Sequence, residues 1–262
     1  MPVPPDPASV TTLERLAART WRGLEEQPYG DWLLRAGGGF TGRANSALVV
    51  GEPPGGDLGT AVADVTRWYR DRGLRPCAAV PTPGSGAADE AFAAAGWTRD
   101  EDNLVLTAAL REWATAADVP VTLAAAPDEA WLAGYRYRGA ALPPVADAVL
   151  RRAERPLFAS VRLDEPPAPT AAVARGVLTD GWLVVSAVTV TDVHRRRGLA
   201  TRVMSALAAD ALARGGHSCL LQVAAGNGPA LALYERLGFT EHHRYHYRTA
   251  PPAEGSRGPA RR

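Results

Sequence analysis

The chain has 262 residues, 46% of them hydrophobic, with 29 basic against 28 acidic side chains and a formal net charge of +1. That length suits two ordinary domains and the apolar fraction excludes global disorder. The balanced charge calls for neither a nucleic-acid nor a membrane partner, so any polyanion site must be local. Two cysteines, Cys77 and Cys219, are too few for a disulfide framework and lack metal-ligand spacing. No apolar run reaches membrane-spanning length. Met1 to Ser9 is proline-rich and acidic, not basic then apolar as a secretory leader would be, and a cytoplasmic protein is expected.

In chain order, the tail before Ser9 gives way to a helix expected over Thr12 to Glu26. Strands follow at Asp31 to Arg35 and Ser46 to Val50. Leu58 to Arg72 carries Val62, Val65, Trp68 and Tyr69 at helical core spacing. Ala78 to Val80 reads as a short strand, Ala87 to Ala95 as a helix stopped by Gly96, and Asn103 to Ala108 as a strand. After Val119-Pro120, Asp128 is the N-cap expected for a helix through Arg136. Phe158 to Arg162, Ala171 to Leu178 and Trp182 to Thr191 read as three strands, the last two joined by a Thr179-Asp180-Gly181 turn. A helix from Gly198 to Arg214, a strand from Cys219 to Ala224 and a helix from Gly228 to Leu237 come next. Arg244 to Arg248 alternates as a strand, and Pro251 to Arg262 is a proline- and charge-rich tail.

The two halves echo each other. Leu58-Gly59-Thr60 and Leu199-Ala200-Thr201 each open a helix, Cys77 sits before its strand as Cys219 does, and Gly96-Trp97-Thr98 matches Gly238-Phe239-Thr240 at an offset of 142 residues. A period this large means a duplicated domain and not a solenoid.

The chemistry concentrates in Val188-Thr189-Val190-Thr191-Asp192-Val193-His194-Arg195-Arg196-Arg197-Gly198-Leu199-Ala200-Thr201. An apolar strand runs into a turn with three arginines, then a glycine, then a helix opening on small residues. Glycine admits close approach by a ligand, and the first helical turn leaves N–H groups unpaired. Those donors, the helix dipole and the arginines together suit a diphosphate, although a solvated arginine cluster at a helix start would read the same way.

Arg195-Arg196-Arg197-Gly198-Leu199-Ala200 resembles the acetyl-CoA motif of the GNAT superfamily, Arg/Gln-x-x-Gly-x-Gly/Ala. One element later, Asn227-Gly228-Pro229-Ala230-Leu231-Ala232-Leu233-Tyr234-Glu235-Arg236-Leu237-Gly238-Phe239 resembles the family's second motif. The resemblance covers about Asp128 to Thr249. It implies an α/β fold with a mixed sheet in tandem GNAT-like domains, the C-terminal one with splayed central strands. Residues 10–110 would form a degenerate first domain, 111–126 a linker, 127–250 the catalytic domain and 251–262 a tail. Acetyl-CoA would be the cosubstrate, with no metal. Val188, Thr189 and Val190 would meet its pantetheine, Arg195, Arg196, Arg197, Gly198, Leu199, Ala200 and Thr201 its pyrophosphate, and Asn227, Ala230 and Tyr234 its reactive arm.

The implied reaction is direct transfer of acetyl to a primary amine of a small molecule or peptide, by a monomer or homodimer. The Val190 N–H would stabilise the oxyanion, and Tyr234, a phenol with pKa near ~10, would protonate the thiolate. The central strand offers no glutamate as a base. That gap is the best support for the contrasting reading, a non-catalytic acyl-CoA sensor or scaffold.

Three further features carry less. His242, His243 and His246 lack a carboxylate or thiol to complete a metal set. By strand alternation His242 and His246 share a face, on what reads as a solvated edge strand. The loop from Gly37 to Ser46 matches no phosphate loop and is either a hairpin connection or a wall of the substrate site. Tyr135, Arg136, Tyr137 and Arg138 lie where the resemblance puts the acceptor pocket.

Overall fold

The computed structural model describes residues 7–112, 120–137, 139–163 and 170–252. The first half comprises α1 (Pro7–Thr20), β1 (Glu25–Tyr29), β2 (Trp32–Ala36), β3 (Ala47–Leu48), α2 (Leu58–Arg70), β4 (Cys77–Thr82), α3 (Gly86–Ala94), β5 (Thr98–Arg99) and β6 (Asn103–Ala109). The second comprises β7 (Thr122–Ala124), α4 (Glu129–Gly134), α5 (Ala146–Arg151), β8 (Leu157–Val161), β9 (Ala172–Thr179), β10 (Trp182–Val190), α6 (Leu199–Ala213), β11 (Ser218–Ala224), α7 (Gly228–Arg236) and β12 (Thr240–Thr249).

The helix expected through Glu26 ends at Thr20. The Thr20 hydroxyl turns back to donate to the Ala17 carbonyl at 2.8 Å, and at Gly23 a Cβ would stand 2.7 Å from the Glu25 carbonyl. Only a glycine fits that corner, and the chain leaves it as β1, paired with β2 from Glu25↔Ala36 to Tyr29↔Trp32. Asp128 caps α4 as expected, accepting from the Trp131 N–H at 2.8 Å, although the helix stops at Gly134. The short α5 and the strands β5 and β7 give no sequence signal of their own.

All strands join one mixed sheet in the order β1-β2-β3-β4-β12-β6-β11-β10-β9-β8-β7, with β5 beside β12. Each half builds an antiparallel pair followed by a parallel one: β2 with β3 then β3 with β4, and β9 with β10 then β10 with β11. The halves then exchange their last strands. β6, from the first half, runs antiparallel along all of β11, from Ser218↔Ala109 to Ala224↔Asn103. β12, from the second half, pairs with β4 from Arg244↔Thr82 to Thr249↔Cys77. β12 and β6 meet at the centre and close the sheet.

This exchange overturns the edge-strand reading of β12. The strand is internal, and His243 and His246 are each only 3% exposed. The register shift between Glu241 and His243 also breaks the simple alternation, setting the His242 and His243 rings together with their Nδ1 atoms 2.8 Å apart. His243 faces α1 and meets Glu14 at 2.9 Å, whereas His246 faces α3 and meets Asp89 at 2.6 Å.

Alternate residues of each strand feed the two faces. Leu183 and Val185 of β10 pack under α6 with Val203 and Leu207, while Val184 joins Leu13, Leu16 and Ala17 of α1. Ala78 and Val80 of β4 pack under α2 and α3, and Ala79 under α1. One face therefore carries α2, α3, α6 and α7, and the other α1, α4 and α5. Helix α1 sits against strands from both halves.

Asp89 fastens β12 to α3. It accepts from Arg248 Nε at 2.7 Å and Nη2 at 2.9 Å, and from His246. The Arg248 guanidinium, then His246, holds its carboxyl down to about 2. A carboxyl that ionises more readily in the folded state stabilises it above the unfolded pKa, near ~4, and that contribution is lost as pH falls through about 2. In urea unfolding, wild type should exceed Asp89→Asn by on the order of 1 kcal/mol at pH 6, with the gap closing between pH 4 and 2. A gap unchanged over that range would contradict the assignment.

Candidate active site

Strands β10 and β11 pair in parallel only from Trp182↔Ser218 to Val185↔Leu221, then part. The divergence starts at a bulge: the register with β9 shifts between Ser186 and Thr189, and Ala187 takes φ 55°. A bulge adds a residue and bends its strand away from the ladder. Beyond it Thr189 and Val190 stay registered with Val173 and Ala172, and the Thr191 N–H donates to the Ala171 carbonyl at 3.0 Å. Backbone groups alternate in direction along a strand, so the Val190 N–H points the other way, into the gap toward β11.

The chain then turns tightly. Arg196 and Gly198 adopt left-handed φ of 59° and 74° before α6 begins. No side chain caps this helix, and a Cβ on Gly198 would meet nothing within 4 Å. The first-turn N–H groups of α6 are thus left without a side-chain cap at the positive end of the helix dipole. A non-glycine residue in the left-handed region costs on the order of 1 kcal/mol, a strain of the kind concentrated at ligand-binding turns.

Helix α7 forms the opposite wall. The Asn227 side chain accepts from the Ala230 N–H at 3.3 Å and so caps the helix. Tyr234, only 7% exposed, packs its ring 5.7 Å from that of Phe239. Burial pushes its hydroxyl up to about 12.

These walls enclose a cleft of about 570 Å³. Of the residues singled out in the sequence, Val188, Thr189, Val190, Arg195, Arg196, Gly198, Leu199, Ala200, Thr201, Asn227, Ala230 and Tyr234 line it. Arg197 does not. It turns to His194, with its Nη1 3.1 Å from the ring Nδ1, while Arg195 pairs with Asp192 at 2.6 Å. Arg136 and Gly139, beyond α4, and Arg236 of α7 also line the cleft. Arg136 belongs to the stretch read as acceptor pocket; no sequence signal marked Gly139 or Arg236. Tyr135 is buried against Trp131 and Tyr137 sits edge-on to Phe40 at 5.6 Å, while Arg138 lies outside the described residues. Among the described residues no group of three or more His, Cys, Asp or Glu is placed to hold a metal ion.

The corresponding helix start in the first half is capped. The Asp57 carboxylate accepts from the Gly59 N–H at 3.0 Å and from Thr60 Oγ1 at 2.6 Å, occupying donors that α6 leaves open. The Ser85 hydroxyl donates to the Val49 carbonyl at 2.8 Å. Where the second half has Tyr234, the offset of 142 places Phe92, packed 4.7 Å from Trp97 as Tyr234 packs on Phe239.

Comparison with known proteins shows the family. A family model described as "Probable histone acetyltransferase Rv0428c C-terminal" matches residues 7–248. The chain belongs to this family. It is a GNAT-type N-acetyltransferase, an acyltransferase. It is 31% identical to the "Probable histone acetyltransferase Rv0428c" of Mycobacterium tuberculosis, over 92% of this chain and 74% of that one. It is 26% identical to the "Uncharacterized N-acetyltransferase YobR" of Bacillus subtilis, over 91% and 98%. In fold it resembles a GCN5-related N-acetyltransferase from Kribbella flavida, with TM-score 0.67, 17% identity and 94% of both chains covered. It also resembles a tandem GNAT protein from the clavulanic acid biosynthesis pathway, with TM-score 0.58, 17% identity and coverage of 80% and 76%.

The open space at Gly198 gives a direct check on the turn. Gly198→Ala should cost about 1 kcal/mol by urea unfolding, from the left-handed φ alone. A loss of several kcal/mol would mean that the methyl group meets a wall.

Proposed function

We propose that this acetyltransferase moves acetyl from acetyl-CoA directly to a primary amine of a small molecule or peptide, within a ternary complex. The observation that carries this reading is that one cleft joins an unpaired strand edge, an uncapped helix N-terminus with an arginine turn, and a buried tyrosine. Each part suits a different portion of one ligand. The Val188–Val190 edge offers backbone groups to the pantetheine amides as a neighbouring strand would. The α6 amides, Arg195 and Arg196 suit the pyrophosphate. Tyr234 and the Val190 N–H are left for the thioester.

In the transfer the amine nitrogen attacks the thioester carbonyl, a C–N bond forms, the C–S bond breaks, and the amine proton passes to solvent. The Val190 N–H stabilises the oxyanion. The departing thiolate takes its proton from the Tyr234 hydroxyl, which solvent then restores. Burial keeps the Tyr234 hydroxyl protonated at neutral pH, the form a proton donor needs. The mycobacterial relative's description as a histone acetyltransferase is compatible with a peptide amine.

Thermal unfolding tests the cosubstrate site. Acetyl-CoA at about 100 times its dissociation constant should add roughly 2.7 kcal/mol, a rise of several degrees. The rise should vanish in Gly198→Glu, which puts a carboxylate in front of the α6 amides; no rise in folded wild type would refute the reading. Tyr234→Phe should keep the rise but lose about 10²-fold in kcat, whereas unchanged turnover would remove the tyrosine from the reaction.

A further inference from the structure

Four arginines line the cleft, Arg136, Arg195, Arg196 and Arg236, and among the described residues that line it none is Asp, Glu, His, Cys or Lys. Arg195 has a carboxylate partner in Asp192; among the described residues Arg136, Arg196 and Arg236 have none. Tyr234, the remaining titratable group of the lining, is held protonated at neutral pH by burial. The acid and the base nearest in sequence are committed elsewhere. The Asp192 side chain is 84% exposed and paired with Arg195, and the His194 ring meets Arg197. The lining therefore offers positive charge and, among the described residues, no group that takes up a proton.

The arginines stand on two sides of the sheet. Arg195 and Arg196 lead into α6 and Arg236 ends α7, both helices lying on one face. Arg136 follows α4, which packs on the other face, with Trp131 against Phe158 and Val173. The phosphates of the cosubstrate, placed at the start of α6, offset the charge on the first side. Arg136 stands across the fork from them and keeps its charge where an acceptor arrives from the α4 side.

An amine comes to this cleft as an ammonium ion or as a neutral base, and only the neutral base has the lone pair that attacks a thioester. Like charge disfavours the ammonium ion, so its proton is best left in solvent before the amine enters. That requirement sorts amines by basicity. An α-amino group has a pKa of about 7.9 and a lysine side chain about 10.4, so at pH 7 the α-amine holds roughly 300-fold more of the neutral form. The greater nucleophilicity of the more basic amine offsets part of this difference.

Resting on the acetyltransferase reading above, we infer that the acceptor is the weakly basic α-amino group of a peptide and not the side chain of a lysine, and that it binds in its neutral form. The α-ammonium ion gives one proton to solvent before binding. The neutral nitrogen then forms the C–N bond as the C–S bond breaks, and its second proton follows to solvent.

The test offers wild-type protein and saturating acetyl-CoA two pools of short random peptides, with mass spectrometry locating the acetyl group. One pool has a free α-amine and propionylated lysines, the other a propionylated α-amine and free lysines. The first should be used faster by about tenfold or more. For a peptide drawn from it, log kcat/KM should rise with unit slope to the pKa of its own α-amine, near ~8, and then level. Arg136→Glu should narrow the preference by about threefold or more, by admitting the ammonium ion. An unchanged ratio in that variant overturns the part given to Arg136. Equal or faster use of the lysine pool overturns the inference. So does a break below about pH 7 that stays in place when the α-amine is exchanged for one of different pKa, because that break belongs to a base on the protein. Refusal of both pools by protein that acetyl-CoA still stabilises overturns it too. An absence of stabilisation by acetyl-CoA removes the acetyltransferase reading itself, and this inference with it.

Discussion

The arrangement rests on the ladder between β6 and β11. β6 comes from the first half, yet it supplies the antiparallel neighbour on one side of the strand whose other side must open for the cleft. β11 keeps four parallel pairs with β10 and seven antiparallel pairs with β6. It is thus anchored along its full length while β10 bends away at Ala187. Without β6, the last residues of β11, Gln222 to Ala224, would have no strand on either side. A strand of the first half thus borders the cleft of the second.

The same topology shows why two similar halves yield one site. Their frameworks agree down to the helix ends, where Gly96 and Gly238 take φ of 78° and 79°, and the following Trp97 and Phe239 N–H groups donate back to Phe92 and Tyr234. The differences are chemical and local. At the helix start, Asp57 consumes N–H groups and adds negative charge, whereas Gly198 leaves both space and donors. At the position matching Tyr234 a phenyl ring, that of Phe92, replaces a phenol. The first half keeps the packing role of each element and loses the polar one.

The second half was largely legible in the sequence because its elements are set by local patterns. Examples are period-2 strands, the Asp128 cap, and the glycine and small residues opening α6. The arginine turn and α7 also lie close in sequence to what they build, so their residues converge on one cleft as read. What stayed hidden is non-local. Nothing in Asn103–Ala109 or Thr240–Thr249 announces that each pairs across the halves, and this exchange turned an expected edge strand into the buried home of His243 and His246. Arg197 escaped for a different reason: three successive arginines through a left-handed residue cannot all face one way, and His194 takes the third.

The central claim is that the parted strands and the uncapped helix form one acetyl-CoA site, in the second half alone. Amide hydrogen exchange with and without acetyl-CoA tests it residue by residue. The account predicts added protection at Val188, Val190 and Leu199 to Thr201, with Val49 and Gly59 to Ala61 of the first half unchanged. Protection in the first-half segment, or none at the α6 turn, would contradict it.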